Sequence, residues 1–423
     1  MELESVPVET LNAAAYNPRV DLQPADAIYE NLKRSIETFG FLQPIIVNRR
    51  NQVVVGGHQR LKVLKELGYA AADVIYVDLP PDQEKALNLT LNKTIGSWDE
   101  HKLAIVLQEL EGLPNFDVQL TGFSTDEVGD LVSRFLDDQD GVSQDMPPVP
   151  DFSKPAVTRS GELLELGEHR LLCGDATQNE DVRRVMNGQR ATLFATDPPY
   201  LVGYDGTNHP GSNKNKNWSG TYGVTWDDAE ANPKLHERFI RAAVAEAITP
   251  DAAWYCWHAS RRQALVEAAW TLFGAFVHQQ IIWVKDRPIL SRSWYSWQHE
   301  PCFFGWVRPH RPRRVSNGSA STTWQFPTVP VGHATEHPTS KPVELFAIPL
   351  REHTRRGEVC YEPFCGSGSQ LIAAEQLGRR CFALEISPHY CDVIVRRWLK
   401  YVDSELAAAE LAERYLEVKE EEA

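Results

Sequence analysis

The chain has 423 residues, 42% of them apolar and 24% charged, with a formal net charge of −15. That length exceeds one typical domain, so two domains with ordinary globular cores are expected. The acidic balance argues against a generic polyanion binder, and no apolar run approaches the length of a membrane span. The start Met1-Glu2-Leu3-Glu4 has no signal-peptide pattern, so a cytoplasmic protein is expected.

From its start, a loop-like stretch runs from Val6-Pro7 to Asn17-Pro18-Arg19, and residues 25–38 have helical spacing. Gly40-Phe41-Leu42-Gln43-Pro44 then turns into the strand Ile45-Ile46-Val47. Val53-Val54-Val55 meets Gly56-Gly57-His58-Gln59-Arg60, followed by a helix over 61–67 that stops at Gly68. A glycine turn between strand and helix, with a basic side chain nearby, can cradle phosphate on the helix N-terminus. In that order, the Asn17-Pro18-Arg19 segment, residues 40–47 and the Gly-Gly-His-Gln-Arg turn resemble the ParB/sulfiredoxin-like domain, over residues 1–110. The resemblance implies a nucleotide at Gly56, Gly57 and Arg60; the alternative is a docking module that binds none. His58 stands where sulfiredoxins carry their repair cysteine, so that chemistry is not expected. Residues 87–93 lack the Glu-Asn pair with which partition proteins follow the domain, which counts against nucleotide hydrolysis.

Residues 98–136 have helical spacing, with Ser124-Thr125-Asp126-Glu127 as a capping box that opens the last helix. Residues 137–155 follow, with Pro147, Pro148, Pro150 and Pro155 among five aspartates, a composition that cannot bury a core. We therefore assign 111–155 to a helical connector and an acidic, proline-rich linker.

The next segment begins with Arg170-Leu171-Leu172-Cys173, a strand ending at Gly174-Asp175. The run Ala191-Thr192-Leu193-Phe194-Ala195 reads as a buried parallel strand and is followed by Thr196-Asp197-Pro198-Pro199-Tyr200. Open α/β sheets bind ligands at such strand ends, and two prolines stiffen the loop. A carboxylate and a stiffly held carbonyl can both accept hydrogen bonds from one exocyclic NH2, and the Tyr200 ring can stack on the heterocycle that carries it.

Residues 201–223, rich in Gly, Asn and Ser, read as a lid, followed by a helix over 233–247 and strands over 253–257, 280–284 and 301–306. Ten of the twelve tryptophans lie between Trp218 and Trp324. Trp254, Trp257, Trp283 and Trp306 fall on strands and are expected in the core, whereas Trp294, Tyr295 and Trp297 fall between strands and are expected to floor a base site. From Ala259 to Val315 nine Lys or Arg face three acids, so phosphates can dock there. Arg287 and Arg292 lie among the rings, and Arg308, Arg311, Arg313 and Arg314 are the expected phosphate or base readers.

Near the other end, His337-Pro338-Thr339-Ser340-Lys341-Pro342 precedes the strand Val359-Cys360-Tyr361. That strand leads into Glu362-Pro363-Phe364-Cys365-Gly366-Ser367-Gly368-Ser369 and a helix over 370–377. Gly366 and Gly368 permit a tight turn and close approach of a ligand. A further strand, Cys381-Phe382-Ala383-Leu384, ends in Glu385, an acid set to accept hydrogen bonds from ribose hydroxyls.

The Asp-Pro-Pro-Tyr tetrad, the His-Pro-Thr-Ser-Lys-Pro segment and the Phe-x-Gly-x-Gly turn, in that order, resemble the β group of DNA amino-methyltransferases, over residues 156–402. The resemblance implies a Rossmann-like α/β sheet, S-adenosylmethionine as cofactor, and a target-recognition insertion at about 201–335. It assigns Asp197, Pro198, Pro199 and Tyr200 to catalysis, and Asp175, Lys341, Glu362, Phe364, Gly366, Gly368 and Glu385 to the cofactor. Many relatives have Asp where Glu362 stands. A lone strand-end Asp such as Asp175 is as often a helix cap as a ligand contact. Cytosine-N4 enzymes usually carry Ser at the Asp197 position, so the resemblance leans to adenine N6 in duplex DNA, as in restriction-modification or prophage systems.

Cytosine N4 is the alternative, as are RNA or free-nucleotide methylation and a nucleotide-switched DNA-binding protein built on a non-catalytic scaffold. A homodimer is left open, and residues 403–423 are expected to form an acidic helix or tail. The seven cysteines form no C-x-x-C pair, so neither a metal site nor a disulfide framework is expected.

Overall fold

A computed structural model of the chain describes residues 3–24, 26–93, 98–136, 142–145, 147, 150, 152–202, 232–289, 294–316, 320–328, 340–402 and 409–416. Contacts divide the chain into two units, Met1–Gln139 and Asp140–Ala423.

In the first unit, β1 (Leu3–Pro7), β2 (Asn12–Ala13), β3 (Ile45–Asn48), β4 (Val53–Gly56) and β5 (Ala71–Val77) form one sheet in the order β1-β5-β3-β4-β2. Helices α1 (Ala27–Phe39) and α2 (His58–Glu66) cover it, with Tyr29, Ile36, Leu61 and Leu64 packed against Ile45, Val47, Val54 and Val74. α3 (Pro81–Asn92), α4 (Glu100–Glu111) and α5 (Thr125–Leu136) build a second cluster, in which Leu89 meets Leu103, Leu107, Leu110, Val128 and Val132. α4 starts where the Asp99 side chain accepts from the Lys102 amide at 3.1 Å. α5 starts at a reciprocal capping box: the Ser124 amide donates to Glu127 at 2.8 Å, and the Glu127 amide donates to Ser124 Oγ at 3.2 Å. Residues 111–136 therefore pack into the first unit and do not stand apart as a connector. Their periodicity shows a helix, but not what its apolar face meets.

The second unit is a nine-stranded sheet between two helical layers. Its strands are β6 (Leu163–Leu166), β7 (His169–Cys173), β8 (Ala191–Thr196), β9 (Ile248–Trp257), β10 (Ala275–Ile289), β11 (Trp297–Val307), β12 (Thr323–Gln325), β13 (Val359–Glu362) and β14 (Arg380–Glu385), in the order β12-β10-β11-β9-β8-β13-β14-β7-β6. From β9 to β7 every neighbouring pair is parallel, whereas β6 on β7, and β11 on β9 and β10, are antiparallel.

Successive side chains of the parallel strands alternate between faces, and both faces are apolar. Leu193, Ala195, Cys381 and Ala383 pack under α9 (Glu344–His353), α10 (Ser369–Gln376) and α11 (Pro388–Trp398), through Leu345, Leu350, Leu371, Ile372 and Trp398. Phe194, Trp254, Phe382 and Leu384 pack under α6 (Asn179–Met186), α7 (Leu235–Ala242) and α8 (Gln263–Leu272), through Val185, Phe239, Ile240 and Trp270. α7 widens into a π-helical turn over Ala243–Ala247, and α12 (Ala409–Leu416) follows α11 with its Tyr415 buried. Trp254, Trp257 and Trp283 are buried as expected, and Trp306 is half-buried.

Part of the acidic run after α5 is fastened to this unit. Arg397, fully buried on α11, donates through Nε to both Asp145 carboxylate oxygens at 2.8 and 2.9 Å, and through Nη1 to the Ser367 carbonyl at 2.9 Å. The Ser143 carbonyl accepts from Gln376 at 3.0 Å and the Gln144 side chain from the Val343 amide at 2.8 Å. Composition marks this stretch as linker, but the charge of a buried Arg recruits one of its aspartates. Asp145→Ala leaves that guanidinium without its carboxylate and is expected to cost about 3–5 kcal/mol, read as a lower urea midpoint. Asp145→Asn, which keeps acceptor and shape, should lose less. Among the described residues no helix is long and apolar enough to cross a membrane.

Candidate active site

The chain leaves β8 toward β9 on one side and leaves β13 toward β14 on the other, so the sheet has its topological switch between β8 and β13. Ligands bind outside the carboxyl ends of strands at such a point. A cavity of about 1110 Å³ lies there, lined from β7 by Gly174 and Asp175, from β8 by the loop Asp197 to Tyr200, from β13 by Glu362 to Ser367, and from β14 by Glu385.

One half of the cavity is the glycine turn. Gly366 and Gly368 have φ of +53° and +87°, and Gly368 sits at the N-cap of α10 without a side-chain cap. Glu385 faces the turn: its Oε2 accepts from the Gly366 amide at 2.8 Å and its Oε1 from the Ser387 amide at 2.9 Å. Burial pushes its carboxyl up to about 7, against the pull of those amides. Glu362 is buried and receives the Phe364 amide on Oε1 at 3.0 Å. The Gln370 amide, turned as its neighbours require, donates to Glu362 Oε2 and to the Ala195 carbonyl, each at 3.0 Å. Burial also raises the Glu362 pKa, and among the described residues it has no ion pair. Phe364 meets Phe239 edge-on, with centroids 4.9 Å apart. Asp175 lines the cavity while its Oδ1 accepts from the Thr177 amide at 2.8 Å, so it caps its own turn as well. A glycine turn beside a strand-tip carboxylate suits a ligand with a ribose, and a second buried carboxylate, with no counter-ion among the described residues, suits one with a positive charge.

The other half is the Asp197 loop. Lys341, expected beside the cofactor, sends its side chain here instead: Nζ lies 2.6 Å from Asp197 Oδ2, 2.8 Å from the Tyr200 hydroxyl and 3.2 Å from Glu300 Oε2. Its backbone carbonyl accepts from Ser369 Oγ, at the start of the glycine turn's helix, at 2.7 Å. The Tyr200 hydroxyl donates on to Glu300 Oε2 at 3.0 Å, and Lys285 Nζ lies 2.5 Å from Glu300 Oε1. Burial raises the Asp197 carboxyl, more than Lys341 lowers it. Burial would lower the Lys341 ammonium, but Asp197 and Glu300 outweigh it and hold the proton on the lysine. Burial would likewise raise Glu300, yet Lys341 and Lys285 hold it well below the usual carboxylate range. Sequence reading missed Glu300 and counted Lys285 only as charge, since nothing local marks a strand residue whose partners lie 15 to 100 positions away.

Of the expected DNA contacts, Trp297 lines the cavity and Trp294 is 99% exposed beside it in the chain. Arg287 is exposed, and Arg292 and most of the lid lie outside the described residues. Arg308, Arg311, Arg313 and Arg314 follow the far end of β11 and do not line the cavity. Arg308 lies over the Phe276 ring at 3.9 Å, Arg313 bonds Glu358 at 2.5 Å and Arg314 bonds Glu352 at 2.9 Å. In the first unit Gly57 has φ +104° at the N-cap of α2, after Gly56, which ends β4. Arg60 donates to the carbonyls of Gln43 and Pro44 at 2.8 and 3.2 Å. His58 Nε2 accepts from the Ala14 amide at 3.3 Å, and burial pushes its pKa down to about 4.

Residues 191–396 match the N6/N4 DNA methylase family, residues 1–93 the ParB N-terminal domain, and residues 101–160 the ParB-methyltransferase HTH domain. The chain is similar to the putative methylase YubD of Escherichia coli K12, 25% identical over 223 residues, covering 52% of this chain and 86% of that one. It is 28% identical over 137 residues to the type II methyltransferase M.Cfr9I of Citrobacter freundii, covering 29% of this chain and 45% of that one, so it spans about half of that relative's length. Among solved structures, the M1.HpyAVI–SAM complex matches 52% of this chain and 95% of its own, at 18% identity and a TM-score of 0.40.

Proposed function

We propose, on the footing that residues 191–396 are a DNA methylase domain of the N6/N4 family with a ParB N-terminal domain ahead of it, that this protein methylates the N6 amine of adenine in duplex DNA. The cofactor is S-adenosylmethionine. The observation that carries the reading is that the Asp197 loop and the Gly366–Gly368 turn with Glu385 line one cavity. S-adenosylmethionine supplies, when bound, a methyl group on a positively charged sulfur. Gly366, Gly368, Phe364 and Glu385 would hold it, with Asp175 and Glu362 beside them.

An exocyclic base nitrogen is a poor nucleophile because its lone pair is delocalised into the ring. Asp197 and the Pro198 carbonyl accept the two amino hydrogens and so favour the geometry in which that lone pair localises. Asp197, with its carboxyl raised by burial, is also the group to take the proton that the nitrogen must lose after methylation. Inside a duplex the amine is stacked and paired, so the base must be flipped out at a cost of a few kcal/mol, offset in part by stacking on Tyr200. Asp at position 197, where cytosine-N4 enzymes usually have Ser, favours adenine.

The test is tritium transfer from labelled S-adenosylmethionine to unmethylated genomic DNA, followed by nucleoside chromatography. Label in N6-methyladenine is the expected result. Label in N4-methylcytosine would keep the chemistry and overturn the base, and absence of label from DNA would overturn the reading.

A pH dependence follows for the cofactor. Ribose hydroxyls donate to the ionised form of Glu385, whose carboxyl is held up to about 7. Raising the pH through that value should therefore tighten binding, and lowering it from about 8 to about 6 should weaken S-adenosylmethionine affinity about tenfold, measured by calorimetry. Glu385→Gln should flatten the profile.

A further inference from the structure

The cluster around Lys341 contains two groups that none of the three motifs supplies, Glu300 on β11 and Lys285 on β10. We propose that Glu300 is a positioning residue for methyl transfer: it holds the Tyr200 ring by its hydroxyl and keeps the cluster of Asp197, Lys341, Lys285 and itself electrically neutral. This rests on the proposed DNA methylation and adds a role for the β10–β11 hairpin in the chemistry itself.

The geometry has two parts. The first is orientation. Lys341 donates to the Tyr200 oxygen at 2.8 Å and that hydroxyl donates to Glu300 Oε2 at 3.0 Å, so the phenol has both a fixed donor and a fixed acceptor. A ring tied at its far end presents one face, and a flipped base gains most from a face that needs no ordering when the base arrives.

The second part is charge. Lys341 and Lys285 are 4% and 6% exposed, and Glu300 is the carboxylate that both share, at 3.2 and 2.5 Å. Asp197 at 2.6 Å neutralises one ammonium, and Glu300 neutralises the other. Without Glu300, two buried ammoniums would face one carboxylate. That surplus positive charge would sit beside the amine, whose nitrogen becomes positive as the methyl group arrives. Fixed charges in a water-poor site act strongly on charge that develops in the transition state. The register holds Glu300 there: it pairs with Trp283 across β10 and β11, whose ring lies 4.9 Å from Lys285 Nζ.

The experiment compares wild type, E300Q, K285Q/E300Q, Y200F and Y200F/E300Q by single-turnover tritium transfer to DNA and by calorimetry with S-adenosylmethionine. E300Q keeps the shape and a hydrogen-bond acceptor but removes the charge, and its transfer rate should fall about a hundredfold with cofactor affinity within about twofold. The double variant K285Q/E300Q restores neutrality and should recover about tenfold of that loss, a rescue that a merely structural role would not give. E300Q should cost less in the Y200F background than in wild type, because one of its two tasks is already gone. Y200F loses only a hydroxyl, so it should fold, and a rate equal to wild type would overturn the orientation part. Wild-type turnover by E300Q would overturn the proposal, as would a double variant no faster than E300Q, or a loss that follows weakened cofactor binding. If wild type itself labels no DNA, the methylation reading fails; if wild type labels DNA and E300Q does so equally, only this inference fails.

Discussion

Asp197→Ala is expected to reduce methyl transfer about a thousandfold or more while S-adenosylmethionine still binds. The size follows from what is lost together: an acceptor for one amino hydrogen, the group that keeps the nitrogen lone pair out of the ring, and the proton acceptor after transfer. Cofactor affinity should survive because Asp197 is hydrogen-bonded to Lys341 at 2.6 Å, in the other half of the cavity, while Glu385 is bonded to the Gly366 amide of the turn. Lys341 keeps a carboxylate contact, with Glu300 at 3.2 Å, but then shares it with Lys285, so the variant carries one surplus buried positive charge and circular dichroism is needed to check its fold. Tritium transfer and calorimetry on the same preparation separate the two effects. Transfer retained within tenfold would remove Asp197 from the chemistry, and loss of cofactor binding would make its role architectural.

Why Asp197 was legible from sequence, and Glu300 was not, comes down to the range of the interactions. Strand tips announce themselves locally: an apolar run that ends in an acid, as at Asp197, Glu362 and Glu385, or in Gly174-Asp175, describes a βα junction whatever lies around it. The Ser124–Glu127 capping box is equally local, since both partners fall within one helical turn. Lys341 belongs to a recognisable segment, yet its side chain serves a loop 144 positions upstream, a pairing that no window contains. The arginines of 308–314 show the same limit of a local window. Counting charge in a window shows an excess of cations, but Arg313 and Arg314 find Glu358 and Glu352 from outside that window. Composition misread Asp145 in the same way, since an acidic, proline-rich run reads as solvated until a buried Arg397 appears opposite it.

Gly368→Trp should block S-adenosylmethionine binding, by about a hundredfold or more in calorimetry, and Gly366→Ala in the same turn should weaken it only about tenfold. Both positions lie in the left-handed region, at φ +87° and +53°, where a side chain costs about 1–2 kcal/mol. They differ in space. A Cβ at Gly368 would approach Ile394 Cγ1 and Cγ2 at 3.2 and 3.3 Å, whereas at Gly366 nothing lies closer than the Phe364 carbonyl at 4.0 Å. Ile394 is buried in the core behind the turn and cannot retreat, so any side chain at 368 must push the turn and the first residues of α10 toward the cavity. The larger effect belongs to the larger displacement, and circular dichroism on both variants checks that the sheet survives. Equal weakening by the two substitutions would mean that backbone strain alone sets affinity. Unchanged affinity in Gly368→Trp would mean that the cofactor does not lie on this turn, and the electrophile would then have to approach Asp197 from another wall of the cavity.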